Sequence, residues 1–218
     1  MILALISASM GIWYLDGRDS YNPVVPLLRL SALGAYAVTL HDGSVERDLT
    51  RDLLSQRIPQ LLGWLASRPL KPVTRERIAQ DVWADSGSDA QALTNLRKAL
   101  HAIRSTLPAG PDLLVQDGPL LALAPGVEAD AVQFQSAIAA EDWGAAVAAY
   151  TGELLSGFDN DWLILTREEF RLAWLDALAR HCAALEAAGQ LPEALRQAQT
   201  LIAHEPLDET AHVRMMRL

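Results

Sequence analysis

The apolar positions along the chain change period three times. From Leu27 to Leu40, "LLRLSALGAYAVTL" alternates apolar and polar residues around Gly34, and "HDGS" follows it. That pattern predicts short antiparallel strands joined by tight turns. The period then becomes helical. In "IPQLLGWLA", Ile58, Leu61, Leu62 and Leu65 share one face, predicting a helix over 56–67 with Ser55 as its N-cap and Pro59 tolerated in the first turn. After "RPLKPV", Thr74 is placed to cap "RERIAQDVW", whose Ile78, Ala79 and Val82 form a short buried stripe. Beyond the turn "ADSGS", Ser88 and Gln91 have the spacing of a capping box and open a third helix, 88–107, ended by "PAGP". Its Leu93, Leu96, Leu100, Ile103 and Leu107 recur at intervals of three and four and form one apolar stripe. Finally "DLLVQ" and "LLALAP" flank "DGP", which reads as a β-hairpin.

Strands, three helices and a hairpin in that order make a winged helix. The remainder is helical and alanine-rich. "DAVQFQSAIAAEDWGAAVAAY" (130–150) predicts two short helices broken near Asp142, "TREEFRLAWLDALARHCAALEAAG" (166–189) a long one stopped by Gly189, and "LPEALRQAQTLIAHEP" another ending before Pro206. Small residues at the helix crossings, the inter-helix Gly and the boundary Pro match a tetratricopeptide-like repeat of about 34 residues. The expected fold is therefore mostly α with a small β component: an N-terminal extension (1–26), a winged helix (27–126) and an all-α tetratricopeptide-like domain (127–218).

Charge divides the same way. The formal net charge is −9, but residues 1–125 hold 12 Lys and Arg against 12 Asp and Glu, while 126–218 hold 6 against 15. An acidic half repels nucleic acid and a neutral half with clustered cations does not, so the two halves are expected to meet different partners. One cysteine, Cys182, excludes an intrachain disulfide and points to a reducing compartment. The apolar start "MILALISASMGIWYL" runs about 15 residues, short of the roughly 20 that span a bilayer, so no membrane association is expected. The five histidines lack metal-ligand spacing, Cys182 is not placed to pair with His181, and there is no phosphate-binding glycine loop. No metal, cofactor or catalytic residue is expected. Trp83, Trp143, Trp162, Trp174 and Phe170 read as core anchors.

Candidate chemistry is concentrated on the third helix. From Ala90 to Pro111 there is no Asp or Glu, yet Arg97, Lys98 and Arg104 fall inside that stretch. Opposite the apolar stripe the helix carries Gln91, Thr94, Asn95, Lys98, His101 and Ser105, with Arg97 and Arg104 on the flank. These eight residues are the expected contacts to double-stranded DNA, the cations neutralising phosphates and the polar side chains reaching base edges.

Several stretches in order resemble one family. "LRLSALGAYAVTL" is similar to its opening strands, "VTRERIAQDVW" to its second helix and "ALTNLRKALHAIRSTL" to its recognition helix. "AYTGELLSGF" with "DW", then "EALRQAQTLIAHEPLDETAHVRMMRL", are similar to its second domain. The family is the bacterial transcriptional activator domain (BTAD) proteins, including SARP-type antibiotic-pathway activators, in which a response-regulator-type winged helix precedes a tetratricopeptide-like activator domain. The resemblance covers 27–218. It implies an activator that binds direct repeats near promoters and assists RNA polymerase. Contact with that or another protein through the helical domain, a homodimer, a cytoplasmic location and a non-enzymatic role are expected alongside it. It also implies that the activator domain normally runs beyond Leu218. One departure concerns the wing: residues 108–126 contain no Lys or Arg and do contain Asp112 and Asp117. The alternative is accordingly a protein-interaction scaffold whose degenerate winged helix does not bind DNA.

Overall fold

The computed structural model describes residues 27–42, 45–55, 57–68, 71–107, 113–207 and 209–217. The extension 1–26, part of the "HDGS" turn, the "PAGP" stop and Asp112 lie outside the described residues. Strands β1 (Leu27–Ser31), β2 (Ala37–Asp42) and β3 (Val45–Asp48) form an antiparallel meander, with Leu28, Leu30, Val38 and Leu40 on the buried face. Three helices follow: α1 (Ile58–Ala66), α2 (Arg75–Val82) and α3 (Asp89–Thr106). A second sheet, in the order β4-β6-β5, joins β4 (Val73–Thr74) before α2 to the hairpin of β5 (Leu114–Asp117) and β6 (Leu120–Leu123). This is the winged helix that the periodicity predicts, with Gly118 at a φ of 54° turning the wing.

The helical half comprises α4 (Asp130–Ala139), α5 (Trp143–Ala149), α6 (Asp161–Ala187), α7 (Leu191–His204) and α8 (Glu209–Arg217). The Asp142 side chain caps α5 by accepting from the Ala145 amide, and Gly189, at a φ of 71°, ends the long helix as its sequence position implies. Cys182 is buried with Leu185, Ala194 and Ala198, its thiol donating to the Ala194 carbonyl at 3.2 Å. Trp83, Phe170 and Trp174 are buried; Trp143 and Trp162 are half-buried against the core.

The two halves are closely joined. Strand β7 (Val127–Ala129) lies just past the expected 126/127 boundary, yet it pairs in parallel with β1, Leu28 opposite Val127. The Asp130 carboxylate then accepts from the Ala32 and Leu33 amides at 2.9 and 3.0 Å. Burial raises its pKa from the ordinary value, against the lowering effect of these amide donors. Thr151 donates to the Leu33 carbonyl at 2.6 Å, and a Cβ on Gly34 (φ 88°) would lie 3.2 Å from the Thr151 hydroxyl oxygen. Gly63 is required for a similar reason: a Cβ there would come within 2.5 Å of Leu155 Cδ1. One continuous apolar core runs from Leu28 through Trp64, Leu96 and Phe134 to Phe170 and Leu201.

Three local expectations need correction. Ser55 does not cap α1 with its side chain: the helix begins at Ile58 behind Arg57, which holds a left-handed φ of 59°, and the Ile58 amide donates to the Ser55 carbonyl. On α3 the buried residues are Ala92, Leu96, Ala99, Leu100 and Ile103, with Leu93 and Leu107 half-buried, so the core face is rotated from the leucine stripe toward Ala92 and Ala99. The long helix begins at Asp161 rather than Thr166, since Leu163 is fully buried and draws that turn into the core.

Candidate nucleic-acid interface

Helix α3 starts where Ser88, in extended backbone, accepts the Gln91 amide on its side chain at 3.2 Å. The reciprocal half of the capping box is not made. Gln91 Nε2 instead donates to Asn95 Oδ1 at 3.0 Å, and Asn95 Nδ2 donates to Ser86 Oγ at 3.3 Å in the preceding turn. Two of the eight expected contact residues are thus held within the protein, leaving only part of each amide for an outside partner. Thr94 and Ser105 donate their hydroxyl protons to the Ala90 and Ala102 carbonyls, both at 2.9 Å, which leaves their oxygens with acceptor capacity only.

Arg97, Lys98, His101 and Arg104 are exposed, Lys98 and His101 opposite the buried stripe and Arg97 and Arg104 on its flank. Among the described residues, no carboxylate is within ion-pair distance of Arg97, Lys98 or Arg104, whereas Arg29, Arg57, Arg77, Arg167, Arg171, Arg180, Arg196 and Arg214 are all paired. The cause is local. With Asp89 the only acid on α3, none of the three cations has an acidic neighbour three or four residues away. The result is a solvated strip of positive charge and hydrogen-bonding groups on a helix anchored by five buried side chains.

Neighbouring elements frame this strip. Thr74 caps α2 by accepting the Arg77 amide. Arg75, the first residue of α2, donates from its guanidinium to Gln116 on β5 at 2.6 Å and from its amide to the Pro119 carbonyl at 2.9 Å, which fixes the wing beside α2. The wing presents Gln116, Asp117, Gly118 and Pro119 and no cation. On the other flank a groove of about 620 Å³ is lined by Arg57, Trp83, Asp85, Ser86, Gln91, Asn95 and Lys98. Arg57 and Asp85 form a two-pronged ion pair there, at 2.8 and 2.5 Å, and these hydrogen bonds lower the pKa of Asp85 from its usual value. Sequence reading passes over Arg57, Asp85 and Ser86 because nothing in their local pattern marks them. A non-glycine residue in left-handed backbone leaves no periodic trace.

Among the described residues no cluster of His, Cys, Asp and Glu could hold a metal, and no helix is long and apolar enough to cross a membrane.

No curated protein matches the chain by sequence. A solved structure, Mycobacterium tuberculosis EmbR in complex with a low-affinity phosphopeptide, is similar in fold, with a TM-score of 0.66 at 16% sequence identity. The match covers 88% of this chain and 54% of that one, so the chain spans about half the length of the protein it resembles. Residues 122–218 match the family described as "Bacterial transcriptional activator domain". That stretch begins within β6 and takes in β7 and all the helices from α4 to α8. The second half of the chain, residues 122–218, is thus similar to a bacterial transcriptional activator domain, and the fold of the chain as a whole is similar to that of EmbR.

Proposed function

We propose that this protein is a transcriptional regulator, a cytoplasmic activator that binds double-stranded DNA through α3, inserting it in the major groove. The observation that carries this reading is the strip of unpaired cations on α3. Arg97, Lys98 and Arg104 neutralise phosphates, while His101, Ser105, Thr94 and the free valences of Gln91 and Asn95 are available to base edges. The wing, without a cation and with Asp117, adds no phosphate contact, so binding rests on α3. The acidic helical half makes none either, and acts on a protein partner such as RNA polymerase. A homodimer would place two such helices on a repeated half-site and raise affinity by linkage.

The test is a selection from random duplexes with the full chain at moderate salt. Enrichment of a short repeated motif supports the reading. Recovery of no motif, together with salt-insensitive retention, supports the alternative of an interaction scaffold with a degenerate winged helix. The cation-free wing and the net charge of −9 favour that second reading.

A further inference from the structure

The start of α6 reaches into the helix-turn-helix through a single side chain. Asn160, the N-cap residue of α6, does not cap its own helix, although Asn is among the residues most favoured for that role. Its Nδ2 donates instead to the carbonyl of Val82, the last residue of α2, at 2.9 Å. The same carbonyl accepts from Arg57 Nη1 at 3.0 Å, and its two lone pairs are thereby both occupied. Arg57 holds an unfavourable left-handed backbone to do this, and its guanidinium continues to Asp85 in the turn before α3. In that turn the Ser86 amide donates to the Trp83 carbonyl at 2.9 Å, and Ser86 Oγ accepts from Asn95 on α3.

We infer that Asn160 and Arg57 are positioning residues for α3, clamping the end of α2 and the following turn so that the helical half sets how the recognition helix is presented. The inference rests on the DNA-binding reading of α3. Neither side chain needs to touch nucleic acid. The turn between α2 and α3 is short and fastened at both ends, to Val82 by Asn160 and Arg57 and to α3 by Asn95. A displacement of Val82 is therefore passed to the start of α3 rather than absorbed by the loop. Base-edge contacts tolerate only small misplacement, whereas phosphate attraction is long-ranged and forgiving. Loosening the clamp should lower specific affinity and leave non-specific affinity alone. A merely structural Asn160 would change the melting temperature and neither affinity of the folded protein.

The experiment uses the full chain with Asn160→Asp, which keeps size and capping ability but removes the amide donor, and Asn160→Ser, which keeps a capping oxygen without the reach. Arg57→Ala and the double variant Asn160→Asp with Arg57→Ala complete the set. Affinity for the selected duplex and for an unrelated duplex is measured across salt concentrations. The expected result for each single variant is a loss of specific affinity of about three- to ten-fold, the weight of one net hydrogen bond, with unchanged salt slope and unchanged non-specific affinity. The double variant should lose less than the product of the singles, since both donors serve one carbonyl. Unchanged specific affinity in the Asn160 variants would overturn the inference. So would a salt slope that falls with Arg57→Ala, which would make Arg57 a phosphate contact. If the parent chain selects no duplex, it is the DNA reading that fails. The clamp is then judged by amide hydrogen exchange over 84–96, where faster exchange in Asn160→Asp supports it and parent-like exchange rejects it.

Discussion

Helices α3 and α6 each carry three long cations, and they use them in opposite ways. On α6, Arg167 donates to the carbonyls of Leu154, Leu155 and Phe158 and pairs with Glu153, Arg171 bridges Glu168 and Glu205, and Arg180 pairs with Asp176. On α3, Arg97, Lys98 and Arg104 point into solvent with no carboxylate beside them among the described residues. The number of cations does not distinguish the helices; the acids within reach of them do. In α6, Glu168 and Asp176 sit three or four residues from their arginines, and Glu153 and Glu205 are brought in by the fold. The arginines of α6 are bound up in contacts within the protein, and the cations of α3 are left solvated.

The sharpest challenge to this comparison is to separate the two regions. Residues 27–126 alone lose β7 and the Asp130 carboxylate that receives the Ala32 and Leu33 amides, and they expose the Leu155-facing side of α1. We expect this fragment to show no cooperative thermal transition, while the full chain melts as one. A fragment with its own sharp transition would show that the halves are independent after all.

Next in size is the core beneath the cationic strip. Leu96→Ala, at a position 1% exposed, should destabilise the chain by about 2–5 kcal/mol through the cavity it leaves. A chemical denaturation midpoint equal to the parent's would mean that the faces of α3 are reversed.

The comparison itself predicts a double dissociation. Arg167→Ala removes a donor from three carbonyls around a mostly buried guanidinium, the Leu155 carbonyl keeping the Phe158 amide, and should cost about 2–3 kcal/mol of stability while leaving the salt dependence of DNA binding unchanged. Changing Arg97, Lys98 and Arg104 together to Ala should shift stability by less than about 0.5 kcal/mol. It should also flatten the plot of log affinity against log salt by about 0.9 per lost phosphate contact. Denaturant titration and salt-dependent binding on the same two variants decide it, and either effect appearing in the wrong variant would break the contrast.

The smallest expected effect is a pH dependence. The Arg57 hydrogen bonds hold the Asp85 pKa below its unfolded value, so the ion pair contributes fully above the ordinary carboxylate range. That contribution fades as pH falls through the depressed folded value. The melting temperature of the parent relative to Asp85→Asn should therefore be constant from pH 5 to pH 8, where the carboxylate stays ionised in both states, about one unit above an ordinary Asp pKa of about 3.9. The difference should shrink on acidification below that. A difference that grows as pH falls would contradict the sign.

The sequence by itself determined the start of α3 at Ser88, its buried and solvated faces, the wing hairpin, the break at Asp142 and the stop at Gly189. Each of these is set by caps, turns or periodicity within a few residues, where steric and hydrogen-bonding preferences act directly. Only the tertiary structure decided the parallel pairing of β7 with β1, the left-handed entry of Arg57 into α1 and the choice of Ala92 and Ala99 over Leu93 and Leu107 for the core. It likewise decided the withdrawal of Gln91 and Asn95 into a chain ending on Ser86, and the use of Asn160 to hold Val82 rather than its own helix. These depend on groups brought together from distant positions, Leu28 with Val127 and Asn160 with Val82, and a local pattern carries no information about which distant donor will reach a given carbonyl.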